Sequence, residues 1–139
     1  MPICTRSFKI KTKGNTDVLD ITPQVAAVVK VSGLANGTAT VFISGSTGGI
    51  TTLEFEPGLQ RDVPEILEQL IPAGRSYHHD QTWHDGNGHA HLRSALTGTS
   101  FTVPFVEGRL ALGTWQQIVF LDFDNRPRTR EILVQMIGE

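Results

Sequence analysis

The sequence predicts a single α+β domain spanning residues 1–139, and three features carry that prediction. Helical patterns stand among the early strand patterns, the second half is rich in strands, and no linker or internal repeat divides the 139 residues. A hydrophobic share of 39% with 19% charged residues suits a packed core and excludes a disordered chain. The net charge of −2 gives no general pull toward nucleic acid or an anionic membrane. The lone cysteine, Cys4, excludes an intramolecular disulfide and a multi-cysteine zinc framework, and its place near the start favours packing over nucleophilic chemistry. No apolar run nears the roughly 20 residues that span a bilayer. The opening "MPICTRSFKIKTKG" has no signal-peptide apolar core, so a cytoplasmic protein is expected.

The elements follow in order. "RSFKIKTK" alternates apolar and basic residues in the two-residue rhythm of a first strand, and "DVLDIT" at 17–22 predicts a second. "TPQVAAVVKVSGL" predicts a helix with Thr22 as N-cap, Pro23 at its first position and Gly33 as its stop. "GTATVFISG" at 37–45 and "ITTLEFE" at 50–56 are β-branched and apolar, and the small-residue loop "SGSTGG" joins them. A second helix is predicted at 62–71, where Asp62 and Glu65 have capping-box spacing and Ile66, Leu67, Leu70 and Ile71 form one face. Pro64 is then tolerated because it falls in the first turn. The histidine-rich stretch reads as a loop that feeds a short helix at about 90–97, with Leu92, Ala95 and Leu96 on one face. Strands return with "SFTVPF", the turn "VEGR", "ALGTWQQIVFLDFD" and "TREILVQMIG". "IVFLDF" is nearly all apolar, which predicts a strand covered on both faces.

All five histidines, His78, His79, His84, His89 and His91, lie within residues 77–93. Ordinary loops seldom concentrate one uncommon residue type, so the cluster points to a metal site, an acid–base site or an anion site. His89 and His91 converge if the backbone is extended and diverge by about 200° if it is helical. Gly86 and Gly88 argue against a regular helix ahead of His89 and place the pair at a loop-to-helix junction. A third ligand could come from His78, His79 or His84, with Asp80 or Asp85 nearby, a donor set that suits zinc or another first-row ion. A surface loop of structurally bonded histidines is the bland alternative. "GSTGG", Gly45 to Gly49, could present amides and the Ser46 and Thr47 hydroxyls to an anion, or be a plain turn. Arg126, Arg128 and Arg130 in "RPRTR" could cradle phosphate or form a solvated edge. Arg93 shares the histidine neighbourhood and is the better anion candidate. Glu54 and Glu56 are read as alternating on one strand face, where they could supply a ligand or a base or, more commonly, form a solvated face. Trp115 is read as a core or interface residue rather than a stacking platform, and Gln116 as either a ligand hydrogen-bonder or a sheet-edge residue.

Together these residues resemble the YjbQ-type family, described as secondary thiamine-phosphate synthases. The resemblance covers essentially the whole chain. It rests on Tyr77 and His79, on Asn87 with His89, His91 and Leu92, on Ser100 to Pro104, on Leu112 to Gln116, and on Ile132 to Gly138. The loop "STGGITTLEFEPG" stands where many members carry a His-Thr-Thr-Ala-Gly-like sequence. Ser46 is read as occupying the place of the histidine, whose role is either absent here or taken over by His84.

The resemblance implies β-sandwich-like sheets, mixed or antiparallel, with two or three helices, assembled as a homotrimer. It implies a catalytic and metal-binding cluster of His79, His89 and His91, with His84 and Asp80 as further ligands. The ion would be zinc, with magnesium an alternative for a diphosphate substrate. It also implies a transferase that joins a pyrimidine diphosphate to a thiazole phosphate and releases pyrophosphate. Arg93, Ser46, Thr47, Gly48 and Gly49 would then hold the phosphorylated small molecule. A metal- or ligand-binding module without turnover and a metal-assisted hydrolase are the alternative readings. Neither nucleic acid nor membrane is an expected partner.

Overall fold

A computed structural model describes residues 1–139. Strands β1 (Ile3–Thr12), β8 (Arg128–Gly138), β3 (Gly37–Ile43), β5 (Ser100–Val106) and β6 (Arg109–Leu110) form a five-stranded sheet in that order. A three-stranded sheet has the order β2 (Asp17–Asp20), β7 (Gln117–Asp122), β4 (Gly48–Leu53). Every strand pairing is antiparallel. Four helices complete the fold: α1 (Thr22–Ser32), α2 (Pro57–Leu70), α3 (His78–Trp83) and α4 (Gly88–Thr97). No helix is long and apolar enough to cross a membrane.

The two-residue alternation of the large sheet sets its faces. Ala39, Val41 and Ile43 lie opposite Met136, Val134 and Ile132, and all six are buried. Their neighbours Phe42 and Leu133 also pair, but on the outer, exposed face. Strand β7 sits between two cores, as its unbroken apolar run predicts. Ile118 and Phe120 join Val25 and Val29 of α1 and the inner face of the large sheet. Val119, Leu121 and Phe123 face the other way, against Leu67 of α2 and Ala90 of α4. The protein is therefore layered as sheet, sheet and helices.

The helices depart from the sequence expectations in instructive ways. Gly33 does end α1, at a φ of 75°. Thr22 does not cap it: Ile21 holds that position, and the Thr22 hydroxyl instead accepts from the Ile118 amide at 2.8 Å. Helix α2 starts five residues before the predicted 62, because the Glu56 carboxylate accepts from the Leu59 and Gly58 amides at 2.6 and 2.7 Å. Glu56 and Glu54 thus lie beyond β4, not on its face, and the predicted Asp62–Glu65 cap falls mid-helix together with Pro64. Of the proposed apolar face only Leu67 is buried, while Ile66 and Leu70 are exposed.

Helix α4 is inverted relative to its apolar pattern. Leu92 and Leu96 are 47% and 61% exposed, whereas His89, Arg93 and Ser94 are buried. Close approach to β4 makes this possible. The Ser94 hydroxyl donates to the Gly48 carbonyl at 2.6 Å. A Cβ on Gly49 would collide with the Thr97 hydroxyl, and one on Gly48 would sit 2.7 Å from the Phe120 ring. Gly49→Ala is therefore expected to lower stability by about 1–3 kcal/mol through overpacking. The urea midpoint of the purified variant measures this, and an unchanged midpoint would show that α4 gives way freely.

Candidate functional site

The site grows from charges placed where strand β7 ends. Asp122 and Asp124 are fully buried, a position that carboxylates hold only when paired and hydrogen-bonded. Arg130 of β8 reaches Asp122 with Nε and Nη2 at 2.8 and 2.9 Å, and the same Nη2 donates to the Thr47 hydroxyl at 2.8 Å. The Thr12 hydroxyl donates to Asp122 at 2.6 Å. Arg128 pairs with Asp124 through Nε at 2.8 Å and through Nη2. Burial alone would raise the Asp124 pKa, but bonds from the Asn125 amide and Arg128 outweigh it and hold the group below its ordinary range. Two arginines that sequence alone left between a phosphate cradle and a solvated edge are thus turned inward.

The buried Asn87 lies between this network and the histidines. With its nitrogen toward Asp124, the buried Asn87 amide donates to Oδ1 at 3.4 Å and its oxygen faces His79 Nε2 at 3.1 Å. Turned over, the same nitrogen donates to Asp85 Oδ1 at 2.9 Å and to His79 Nε2 at 3.1 Å. The shorter contact to an ionised carboxylate favours the second arrangement. The His79 ring packs on the His91 ring, with centroids 4.3 Å apart and planes tilted by 47°. Burial, then the neighbouring His79, lower the His91 pKa below its ordinary value.

His91 borders a depression of about 340 Å³ whose other walls include Gly45, Ser46, Ser94 and Thr99. A larger one of about 510 Å³, between Lys30 and Arg109, contains no histidine. The paired imidazoles beside a small, polar, glycine- and serine-walled hollow form the candidate site. It can exchange a proton and can donate hydrogen bonds to an anion.

The family model described as UPF0047 protein YjbQ-like matches residues 6–139. The chain belongs to the YjbQ/UPF0047 family. It is 41% identical to a UPF0047 protein of Archaeoglobus fulgidus, over 92% of this chain and 97% of that one. It is 35% identical to UPF0047 protein YugU of Bacillus subtilis, over 96% and 98%. A crystal structure of a hypothetical protein from Aeropyrum pernix K1 superposes with a TM-score of 0.91 at 36% identity, covering 97% of this chain and 98% of that one. A YbjQ-like protein of unknown function from Sulfolobus solfataricus P2 gives 0.89 at 32% identity, with 99% and 100% covered. The single-domain α+β fold expected for a YjbQ-type chain is therefore present, with four helices rather than two or three.

The site within that YjbQ fold differs from the three-imidazole cluster. Helix α4 begins at Gly88, so His89 and His91 point about 200° apart. His91 meets His79. His89 is turned inward, 4% exposed, toward Arg93, Glu68 and Asp80, and its Nδ1 has no hydrogen-bond partner. His84 caps the C-terminus of α3 at a φ of 58°, exposed, and His78 is exposed as well. Asp80 accepts from the Tyr77 and Gly88 amides, each at 3.0 Å, and so ties α3 to α4. Those bonds also lower its pKa, the Tyr77 bond most. No three His, Cys, Asp or Glu side chains come together where they could hold a metal ion. The donor set expected for zinc does not come together in this geometry.

Most of the residues expected to hold phosphate are engaged within the protein. Arg93 is buried and donates to the Ile71 carbonyl at 3.1 and 2.7 Å, to the Thr16 hydroxyl at 2.8 Å and to Glu68 at 2.8 Å. It locks the segment after α2 to α4 and does not face the depression. Gly48 and Gly49 belong to β4, paired with Asp122 and Leu121, and the Thr47 hydroxyl is held in the arginine network. Ser46 alone of that group lines the hollow. Sequence reasoning passed over Asp122, Asp124 and Thr12. The signal for the two aspartates was present in "FLDFD", two carboxylates inside an apolar run, followed by arginines at matching spacing; nothing local marked Thr12.

The buried imidazoles give stability a pH signature. Burial, then Arg93, depress the His89 pKa below its ordinary 6.5. The unfolded chain therefore takes up protons below about pH 6.5 before the folded one does, so stability is full above that point and declines as pH falls through the lowered folded-state value. The thermal midpoint is expected to drop between about pH 7 and about pH 5. The drop should be smaller in His89→Gln, and an identical slope in that variant would remove His89 from the titration.

Proposed function

We propose that this YjbQ-family chain is a transferase of the thiamine-phosphate synthase type, acting on a phosphorylated small molecule held in the hollow beside His91. The observation that carries the reading is the His79–His91 ring pair at the edge of a polar depression walled by Gly45 and Ser46. In the reaction a thiazole nitrogen forms a bond to the pyrimidine methylene carbon. The bond from that carbon to the diphosphate oxygen breaks, and its electron pair leaves with pyrophosphate. No covalent nucleophile is required. Negative charge grows on the departing oxygen, where an imidazole N–H and serine donors lower the barrier most. The Asn87–Asp85 contact orients His79, and His79 in turn packs His91 toward the hollow.

Pyrophosphate release from the two substrates tests this directly. Removing one such donor typically costs roughly 100- to 1000-fold, and His91→Ala is expected to fall in that range. Release from wild type at the rate of the protein-free mixture would overturn the transferase and leave a ligand-binding module. The homotrimer forms part of the same proposal. The outer face of the large sheet, with the cross-strand pairs Phe42–Leu133 and Ile3–Ile137, is the exposed apolar surface available for it. Light scattering should then give three chain masses, and a single chain mass would exclude the assembly.

A further inference from the structure

We infer that the Ser44–Thr47 loop, together with the Nη1 group of Arg130, is the seat for the phosphate or diphosphate group of the ligand. The inference rests on the proposed function for its choice of ligand and replaces Arg93 as the cation that meets it.

The backbone comes first. Strand β3 stops at Ile43 and β4 starts at Gly48, and across the gap the chain makes bends without a turn hydrogen bond. The amides of Ser44, Gly45, Ser46 and Thr47 donate to no other protein group. Backbone donors are obligatory bonding groups, and a run of free ones in a small-residue loop is an anion-binding concavity. The exposed Ser46 adds a hydroxyl that has no partner within the protein.

Arg130 supplies the charge. Its side chain is only 12% exposed and is held by Asp122 and Thr47 through Nε and Nη2, which leaves Nη1 without a partner. A guanidinium fixed along one edge and free at the other is pre-organised for an oxyanion, because its rotamer entropy is already lost. Gly45 leaves that free edge uncovered. A Cβ there would lie 3.6 Å from Nη1, so any larger side chain would shield it. The loop is a wall shared by two depressions. Gly45 and Ser46 face the one that His91 borders, and Ser44 and Arg130 line a neighbouring one of about 410 Å³.

The charge balance determines the character of the seat. Asp122 and Asp124 offset Arg130 and Arg128, so directed N–H donors, not an excess of positive charge, must hold the anion. A compact group with several acceptor oxygens suits this better than a carboxylate does. Diphosphate offers the most acceptors in the least volume.

The test uses inorganic pyrophosphate, with inorganic phosphate beside it, titrated calorimetrically into the intact protein without other substrates. Gly45→Leu covers Nη1 while leaving the Arg130–Asp122 pair untouched. Arg130→Lys keeps the charge and removes the second donor edge. Wild type is expected to bind pyrophosphate more tightly than phosphate, Gly45→Leu to weaken pyrophosphate by at least roughly tenfold at an unchanged melting temperature, and Arg130→Lys to weaken it as much at a lowered one, because Asp122 loses part of its pairing. No binding to wild type, or undiminished binding in either folded variant, overturns the seat. If Gly45→Leu does not fold, Arg130→Lys decides. Because turnover plays no part in the titration, a failed transferase assay leaves this result standing, and a failed titration leaves the His91 reading standing.

Discussion

Two carboxylates with no solvent exposure, at the end of a strand buried on both faces, are the constraint on which the rest of this structure depends. A buried ion left without its partner costs about 3–5 kcal/mol, a large share of the net stability of a domain this size. The fold therefore has to deliver arginines and hydroxyls to that point from elsewhere in the chain. Arg128 and Arg130 come from β8, Thr12 from the end of β1, and Thr47 from the start of β4. Strand ends that would otherwise fray are fixed by the need to satisfy Asp122 and Asp124.

That fixation gives the candidate site its rigidity. The Thr47–Arg130 bond anchors one end of the loop that walls the hollow, and the buried Asn87 ties His79 to Asp85. Helix α4 supplies the remaining wall. Its inward face is polar, with Ser94 bonded to β4 and Arg93 bonded to the chain beyond α2, and so it sits as a braced plate rather than as an oily stripe. Preorganisation of this kind lets a shallow site hold its donors in place.

Much of the fold was legible in the residues themselves. The alternation in β3 and β8, the glycine that ends α1 and the apolar run of β7 each follow from local periodicity and backbone chemistry. The resemblance to the YjbQ family rests on motifs spread over the whole chain. The site was legible only in its location. Five histidines in one stretch singled out the neighbourhood of the candidate site, but their pairing, the engagement of Arg93 and the inward turn of Arg130 were not readable from spacing. Helix α4 shows why. Its apolar pattern put Leu92 and Leu96 inside, and the opposite face is buried.

The sequence by itself determined where strands and helices form, because side-chain period and turn chemistry act over a few residues. Only the tertiary structure decided which polar groups go inside, because burying them is tolerable only when partners far along the chain satisfy them. Thr12 and Asp122 are 110 residues apart, and Arg93 and Thr16 are 77 apart. No local window contains both members of either pair, so neither the inverted face of α4 nor the meeting of His79 with His91 could be settled before the sheets had closed.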